Sequence, residues 1–325
     1  MFNYLLRRIL YAVPILIGVN LITFALFFMV NTPDDMARLN LGNKRVTAEA
    51  IERWKVQHGY DKPLFVNADA QGLGQVTDTL FVQKSLKLFT FDFEAGDDGR
   101  DIGREISHRM GPSMAVAIPT FFVGLLVYVS MALAFMLIRG GAAELWGLVA
   151  QIAMMSISSL FFVIGGQFFV GKLWHWAPIS GWGDGVSALK FILVPVLVGV
   201  LASVGESVRF YRTLFLEESG RDYVRTARAK GLSAGRVLFK HILRNSAIPI
   251  LTGVVVVLPR LFLGSLIIES FFGIPGLGSY TIDAIQSQDF AVVRSMVFLG
   301  SFLYIVGLIL TDLSYAVADP RVKLS

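Results

Sequence analysis

Six long stretches of the chain are almost free of charged residues, and they constrain the possible fold more than any other feature. A helix needs roughly 20 apolar residues to cross the hydrocarbon core of a bilayer. Three of the stretches reach that length without a charge, and three are shorter or contain one charge. In chain order they are residues 9–30, 113–138, 145–171, 191–205, 248–268 and 295–311. The sequence therefore predicts an all-α integral membrane protein with about six transmembrane helices.

The composition excludes several classes of protein. Charged residues make up 16% of the 325 residues, hydrophobic residues make up 54%, and the mean hydropathy is +0.63. A soluble domain carries about 25% charged residues, and a disordered chain has the opposite composition, so both classes are excluded. The chain has no cysteine, which excludes disulfides, thiolate metal sites and cysteine nucleophiles.

No arrangement of residues indicates catalysis or a metal centre. The four histidines lie far apart along the chain, and no two have the spacing of metal ligands. There is no Ser-His-Asp order and no carboxylate pair typical of an active site. Residues 166–172 have the spacing of a nucleotide-binding loop, but Leu173 stands where Ser or Thr must bind Mg²⁺. We therefore expect a non-catalytic chain that binds no cofactor of its own.

The distribution of basic residues predicts the orientation in the membrane. The short loops on one side carry fourteen Lys and Arg residues, and those on the other side carry three. Because cytoplasmic loops are enriched in Lys and Arg, we expect both termini to be cytoplasmic. Residues 1–30 are predicted to be a retained N-terminal transmembrane anchor, since the apolar run is longer than that of a signal peptide.

Residues 31–112 are then predicted to form an extracytoplasmic, α-rich insertion after the first helix. The segment contains Trp54 and several phenylalanines, which is enough apolar surface for a small folded cap. Residues 47–58 have helical spacing of apolar residues, with Thr47 suited to the N-cap position. Residues 102–110 predict a short amphipathic helix that leads into the second span.

The stretch between the fourth and fifth spans is the most informative part of the sequence. Asp222 is suited to cap a short helix, and Gly231 is suited to the left-handed conformation that ends one. Tyr223, Ala227 and Lys230 are predicted to share one face of that helix, with Thr226 beside them.

Two interpretations of this stretch remain open at this point. It is either a solvated basic loop or an element that docks onto a cytoplasmic partner. We favour docking, because a basic loop does not require a glycine corner followed by a second helix capped by Ser233.

Residues 222–233, DYVRTARAKGLS, resemble the EAA loop of ABC importer permeases of the dipeptide, oligopeptide and nickel branch. Arg225-Thr226-Ala227 replaces the leading Glu-Ala-Ala of the general motif, and Gly231 matches its glycine. Further segments resemble the same family in the same order. They are residues 4–10, YLLRRIL; 178–181, PISG; 269–278, ESFFGIPGLG; and 312–321, DLSYAVADPR.

The resemblance implies a type I ABC importer permease, with residues 113–325 as its core and a cytoplasmic coupling loop at about 215–250. It implies these partners: a second homologous permease, two ATPase subunits carrying ATP and Mg, an extracytoplasmic solute-binding protein, and membrane lipid; no nucleic acid is expected. It also implies a place in the bacterial cytoplasmic (inner) membrane. The residues that it assigns to ATPase coupling are Asp222, Tyr223, Arg225, Thr226, Ala227, Arg228, Ala229, Lys230, Gly231 and Leu232.

Arg260 is the one charged residue that the sequence places well inside a span, near the middle of the fifth and just after Pro259. Charged groups at that depth are costly and usually face a cavity or a partner. One hypothesis is that Arg260 lines the translocation path and meets an anionic group, such as a peptide carboxylate. The alternatives are pairing with Glu206 or Glu269, or snorkelling to the membrane surface.

The segment after the fifth span is predicted to form the outer gate. Glu269 is expected there with Phe271 and Phe272, although an ordinary interfacial carboxylate is the simpler interpretation of Glu269. Pro275, Gly276 and Gly278 predict a tight turn at the outer mouth.

The alternative function is that of a stand-alone secondary transporter or channel. Such a protein is expected to carry titratable residues inside several spans, and only Arg260 is found there. The substrate is not readable from the residues: peptides, nickel and sugars are handled by this family. Nickel is disfavoured, because no histidine lies at membrane depth.

Overall fold

The computed structural model describes residues 2–42, 46–96, 99–138, 140–183 and 185–318. Within these ranges the chain is helical, without a strand, and one isolated bridge joins Ala95 and Asp101. The prediction of an all-α protein is therefore confirmed. The α-helices are α1 (Phe2–Ala25), α2 (Pro33–Leu41), α3 (Ala48–His58), α4 (Gly74–Thr77), α5 (Ile102–Leu137), α6 (Ala142–Ser156), α7 (Ser159–Gly166), α8 (Ala188–Ser219), α9 (Asp222–Ala229), α10 (Ala234–Val237), α11 (Leu243–Val257), α12 (Leu266–Phe272), α13 (Leu277–Ser287) and α14 (Phe290–Ala318).

Five helical stretches of the described chain are long and apolar enough to cross a membrane. They are Leu6–Val30, Ile102–Leu137, Gly185–Ser219, Ala234–Leu263 and Phe290–Ser314. A bent helix pair brings the number to six if it is counted as one span. This agrees with the prediction of about six spans.

The third predicted span, residues 145–171, is a bent pair of helices and not one continuous helix. Its two halves, Ala142–Ser156 and Ser159–Leu173, meet at an angle of 92°. Ile157 between them has an extended backbone, and the Ser158 hydroxyl accepts a hydrogen bond from the amide of Leu160 at 3.3 Å. A serine hydroxyl can accept a hydrogen bond from a nearby backbone amide. It therefore lowers the free-energy cost of ending a helix inside an apolar segment.

The predicted ends of two other spans were also wrong. Helix α8 continues past Glu206 to Ser219, because Glu206 lies on a helix face that borders a large cavity. The fifth span begins earlier than predicted and ends at Leu263, where Gly264 adopts a φ of +68° that favours glycine. Arg260 therefore lies close to the end of this span, not near its middle.

The chain divides into two compact units. The first contains the described residues up to Arg109 together with Tyr280–Ile309. Its apolar core packs α1 against α2 and α3, and Thr47 caps α3 as predicted by accepting a hydrogen bond from Ala50 at 3.3 Å. The largest buried side chains of this core are Phe24, Phe28, Met36, Trp54, Tyr60 and Leu80.

The second unit contains the described residues of Met110–Ser279 and those from Leu310 onward. Helix α8 runs through its core and buries a series of valines against α6 and α7. Glycine allows this close approach: a Cβ on Gly205 would lie 2.7 Å from the carbonyl oxygen of Gln151. The second unit therefore contains α9 and the residues around Arg260 and Glu269, which the sequence singles out as functional.

Candidate functional site

The short helix α9 has one buried face and one exposed face. Val224 and Ala227 are 0% and 5% exposed, and Tyr223 packs against the same core. Lys230, which was predicted to share the face of Tyr223 and Ala227, is the C-cap residue of α9 and is exposed. Positions 223, 224 and 227 are neighbours at helical spacing, so their apolar side chains fix α9 to the second unit.

The start of α9 differs by one residue from the sequence prediction. Arg221 holds the N-cap position, with no capping hydrogen bond from its side chain, and Asp222 is the first helical residue. An acidic residue in the first turn still interacts favourably with the positive end of the helix. The carboxylate of Asp222 lies 3.6 Å from the Arg225 guanidinium, but both are largely exposed, so this pair adds little stability.

Tyr223 anchors the helix to the end of α8. Its hydroxyl donates a hydrogen bond to the Glu218 carboxylate, and its ring centroid lies 6.5 Å from that of His241. Burial raises the pKa of the Tyr223 hydroxyl to about 12, and the bond to Glu218 adds to the shift. The hydroxyl therefore stays protonated and remains a donor at any physiological pH.

A glycine corner ends α9, as predicted. Gly231 has a φ of +77°, and its amide donates to the carbonyl of Arg228 at 2.9 Å. Leu232 then turns towards the core, and Ser233 holds the N-cap position of α10. The following residues Val237, Leu238 and Ile242 are buried and lie in the first turns of the fifth span.

The outer face of α9 is small and basic. Since its apolar side chains are buried, what remains accessible is a polar surface, which we call the α9 basic face. Its exposed members are Asp222, Arg225, Thr226, Arg228, Ala229 and Lys230. A rigid helix with such a surface can receive a partner of opposite charge and pass a displacement into the fifth span.

A cavity of about 730 Å³ lies within the second unit. One wall is a face of α5, where Ser113, Thr120 and Tyr128 contribute hydroxyl groups. A second wall is a face of α8 that carries Glu206 and Tyr211, and the third is the segment 257–269. Its lining mixes hydroxyl-bearing and apolar side chains, which suits a solute that is itself partly polar.

Arg260 borders this cavity and is exposed to it. Among the residues that the structure describes, it forms no ion pair, so the alternative of pairing with Glu206 or Glu269 is not found. Glu206 borders the same cavity and is also exposed. From the sequence alone, Glu206 marks the end of the fourth span and is one alternative partner of Arg260. Glu206 shares one face of α8 with Ser203, Ser207 and Tyr211. This polar face is visible in the sequence and could have indicated that Glu206 borders a cavity.

Glu269 is buried, with 1% of its surface exposed, and is held by the chain around it. Its carboxylate accepts hydrogen bonds from the amides of Ser265 at 3.1 Å, Gly278 at 2.7 Å and Ser279 at 3.3 Å. The Ser113 hydroxyl also hydrogen-bonds Glu269 and accepts from the amide of Leu277 at 2.8 Å. One side chain therefore ties α5, the turn at Ser265 and the start of α13 together.

The glycines that follow Glu269 are required by this arrangement. A Cβ on Gly276 would lie 2.6 Å from the Glu269 carboxyl carbon, and one on Gly278 would lie 2.6 Å from the Ser265 carbonyl carbon. Pro275 lies between the two halves of the turn and is exposed. The spacing of residues 269–278 thus builds a fixed loop around a carboxylate.

The two phenylalanines predicted at the outer gate lie in different surroundings. Phe272 is 2% exposed and belongs to the core of the second unit, whereas Phe271 is 44% exposed. The backbone carbonyl of Phe271 accepts a hydrogen bond from the Gln167 amide at 2.8 Å. Among the described residues no group of His, Asp and Glu has the arrangement needed to hold a metal ion.

Long apolar helices, a cavity within the second unit and a short helix with an exposed basic face are features expected of a membrane transport component. The family described as "Binding-protein-dependent transport system inner membrane component" matches residues 109–324, and the corresponding N-terminal family matches residues 1–83. The chain therefore belongs to this family of inner membrane transport components, which confirms its resemblance to ABC importer permeases.

Individual relatives cover the whole chain. It is 30% identical to the di/tripeptide transport system permease protein DppB of Pseudomonas aeruginosa, over 99% of both chains. It is 29% identical to the dipeptide transport system permease protein DppB of Lactococcus lactis, over 100% of both chains. It is 25% identical to the dipeptide transport system permease protein DppB of Escherichia coli, over 99% of both chains.

Proposed function

We propose that this chain is the permease subunit of an ATP-driven importer of peptides, and that it forms half of the translocation pathway. The relatives that match it from end to end carry names of dipeptide and di/tripeptide permeases, which supports the peptide as substrate. The cavity, with its mixture of hydroxyl, charged and apolar side chains, suits a small solute of this kind.

Energy reaches the chain through α9 in this proposal. The observation that carries it is the division of α9 into a buried apolar face and an exposed basic face, fixed by the corner at Gly231. A cytoplasmic ATPase that binds the α9 basic face can move the fifth span as a rigid body when it closes on ATP. ATP and Mg are then bound by two ATPase subunits, and this chain has no catalytic role.

The remaining partners follow from the same scheme. A second, homologous permease completes the pathway, and an extracytoplasmic binding protein delivers the peptide. Both termini and α9 face the cytoplasm, residues 31–112 face outward, and the core begins at about residue 113. The fourteen basic residues in the short loops on the side of α9 support this orientation.

Uptake by the reconstituted transporter tests the proposal. The chain is purified with its second permease and ATPase subunits, placed in proteoliposomes and supplied with a binding protein and radiolabelled dialanine. We expect uptake that requires both ATP and the loaded binding protein. Uptake by this chain alone, driven by a proton or sodium gradient, would support a stand-alone secondary transporter instead.

A further inference from the structure

Two exposed charged side chains of opposite sign lie on different walls of the cavity in the second unit, while Glu269, which also borders it, is buried and hydrogen-bonded by backbone amides. Arg260 projects from the segment after α11, and Glu206 projects from the middle of α8. Both are exposed to the cavity. Within the part of the chain that the structure describes, neither side chain forms an ion pair or a hydrogen bond. The cavity therefore presents two separate, opposite charges to whatever enters it.

Keeping two such charges apart in a membrane protein costs free energy. Charged groups within spanning segments are usually paired or face water, because an apolar environment does not solvate them. Arg260 and Glu206 border one cavity, yet they do not neutralise each other. An arrangement of this kind is favourable when the passing solute itself supplies the missing opposite charges.

We propose that the cavity recognises the two charged ends of a zwitterionic peptide, with Arg260 facing its carboxylate and Glu206 facing its ammonium group. This inference rests on the proposed function, because it assigns the charge pattern of the solute that the permease carries. A guanidinium binds a carboxylate through two parallel hydrogen bonds, and a carboxylate accepts from an ammonium group.

The rest of the lining fits a short peptide between two charged ends. The volume of about 730 Å³ lies within the range of about 300–1,000 Å³ typical of small-molecule sites. Ser207 and Tyr211 stand one turn apart on the α8 wall, where they can hydrogen-bond peptide amides. Apolar surface is supplied by Phe121, Leu125 and Leu261, and it can accommodate different side chains of the peptide.

Blocked peptides separate the two charges experimentally. Uptake of dialanine, dialanine amide and N-acetyl-dialanine is measured in proteoliposomes with the complete transporter, after titration shows that each peptide saturates the binding protein. We expect Arg260→Gln to slow the two peptides that have a free carboxylate by about tenfold, the size of a lost hydrogen bond to a charged group, and to spare the amide. Glu206→Gln is expected to slow the two peptides that have a free amine and to spare the acetylated one.

The controls distinguish recognition from damage. Arg209→Gln removes an exposed charge from α8, the helix that carries Glu206, at a position outside the cavity. We expect it to leave the uptake rates of all three peptides unchanged. Arg260→Lys keeps the positive charge. We expect the Arg260→Lys transporter to take up dialanine faster than the Arg260→Gln transporter does. Equal slowing of all three peptides, equal loss in Lys and Gln variants, or no slowing at all would overturn the inference. Absence of any peptide uptake by the unaltered transporter would instead refute the proposed function.

Discussion

Reversing both exposed arginines of α9, in the double variant Arg225→Glu/Arg228→Glu, is expected to remove the ATPase subunits from the purified complex. Both side chains belong to the α9 basic face, and neither contributes to the buried face that holds the helix in place. Losing charge complementarity across an interface costs about 2–5 kcal/mol when the charge is buried there, which weakens binding by more than tenfold. Purification through a tag on this chain, followed by quantification of bound ATPase, measures the loss.

The control is Arg236→Glu, which makes the same Arg-to-Glu substitution at one exposed position of α10. We expect this variant to retain its ATPase, because α10 lies beyond the glycine corner at Gly231. Thermal unfolding of both variants in detergent checks that α9 itself remains folded. Full retention of the ATPase by the double variant would mean that the α9 basic face is only a solvated surface.

Replacing Glu269 by Ala is expected to give the largest loss of stability. The substitution leaves the amides of Ser265, Gly278 and Ser279 without their acceptor in a buried environment. Each unsatisfied buried donor costs about 1–3 kcal/mol, so we expect a loss of about 3 kcal/mol or more. Thermal unfolding of the detergent-purified chain measures the effect as a lower midpoint.

Two comparisons give this experiment a control and a companion. Glu217→Ala removes an exposed carboxylate near the end of α8 and is expected to change stability little. Gly276→Ala keeps Glu269 but forces a Cβ towards its carboxylate, and is expected to destabilise by about 1–3 kcal/mol. A Glu269→Ala variant as stable as the Glu217→Ala variant would show that the buried carboxylate does not hold this loop.

Features set by local chemistry were predictable from the sequence. The left-handed corner at Gly231 and the N-cap position of Ser233 both follow from the preferences of single residues, although the Ser233 side chain accepts no capping hydrogen bond. The N-cap at Arg221 was missed by one position, because Asp222 is the better capping residue in isolation. Which residues of α9 are buried could be predicted only in part, since it depends on what the helix packs against.

Features that depend on distant parts of the chain were not predictable in this way. Glu206 ended the predicted fourth span because a charge is unfavourable next to lipid, yet the helix continues where that charge faces a cavity. The surroundings of Glu269 require Ser113, distant in sequence, to approach the turn at Ser265. The break at Ile157 lies between Ser156 and Ser158, and these serines are a local signal for a helix end. The long apolar run around them nevertheless led to the prediction of an uninterrupted span.

The most direct test of coupling through α9 uses the absence of cysteine in the chain, because a single introduced cysteine is then the only thiol that this subunit carries. Ala229→Cys places it on the α9 basic face, and Ala227→Cys places it on the buried face as the control. A short thiol-to-amine crosslinker is added to the intact complex with and without ATP, and mass spectrometry identifies the linked subunit. We predict that Ala229→Cys links to the ATPase subunit with a yield that changes with ATP, and that Ala227→Cys does not link. No ATPase crosslink from Ala229→Cys in an active complex would contradict coupling through α9.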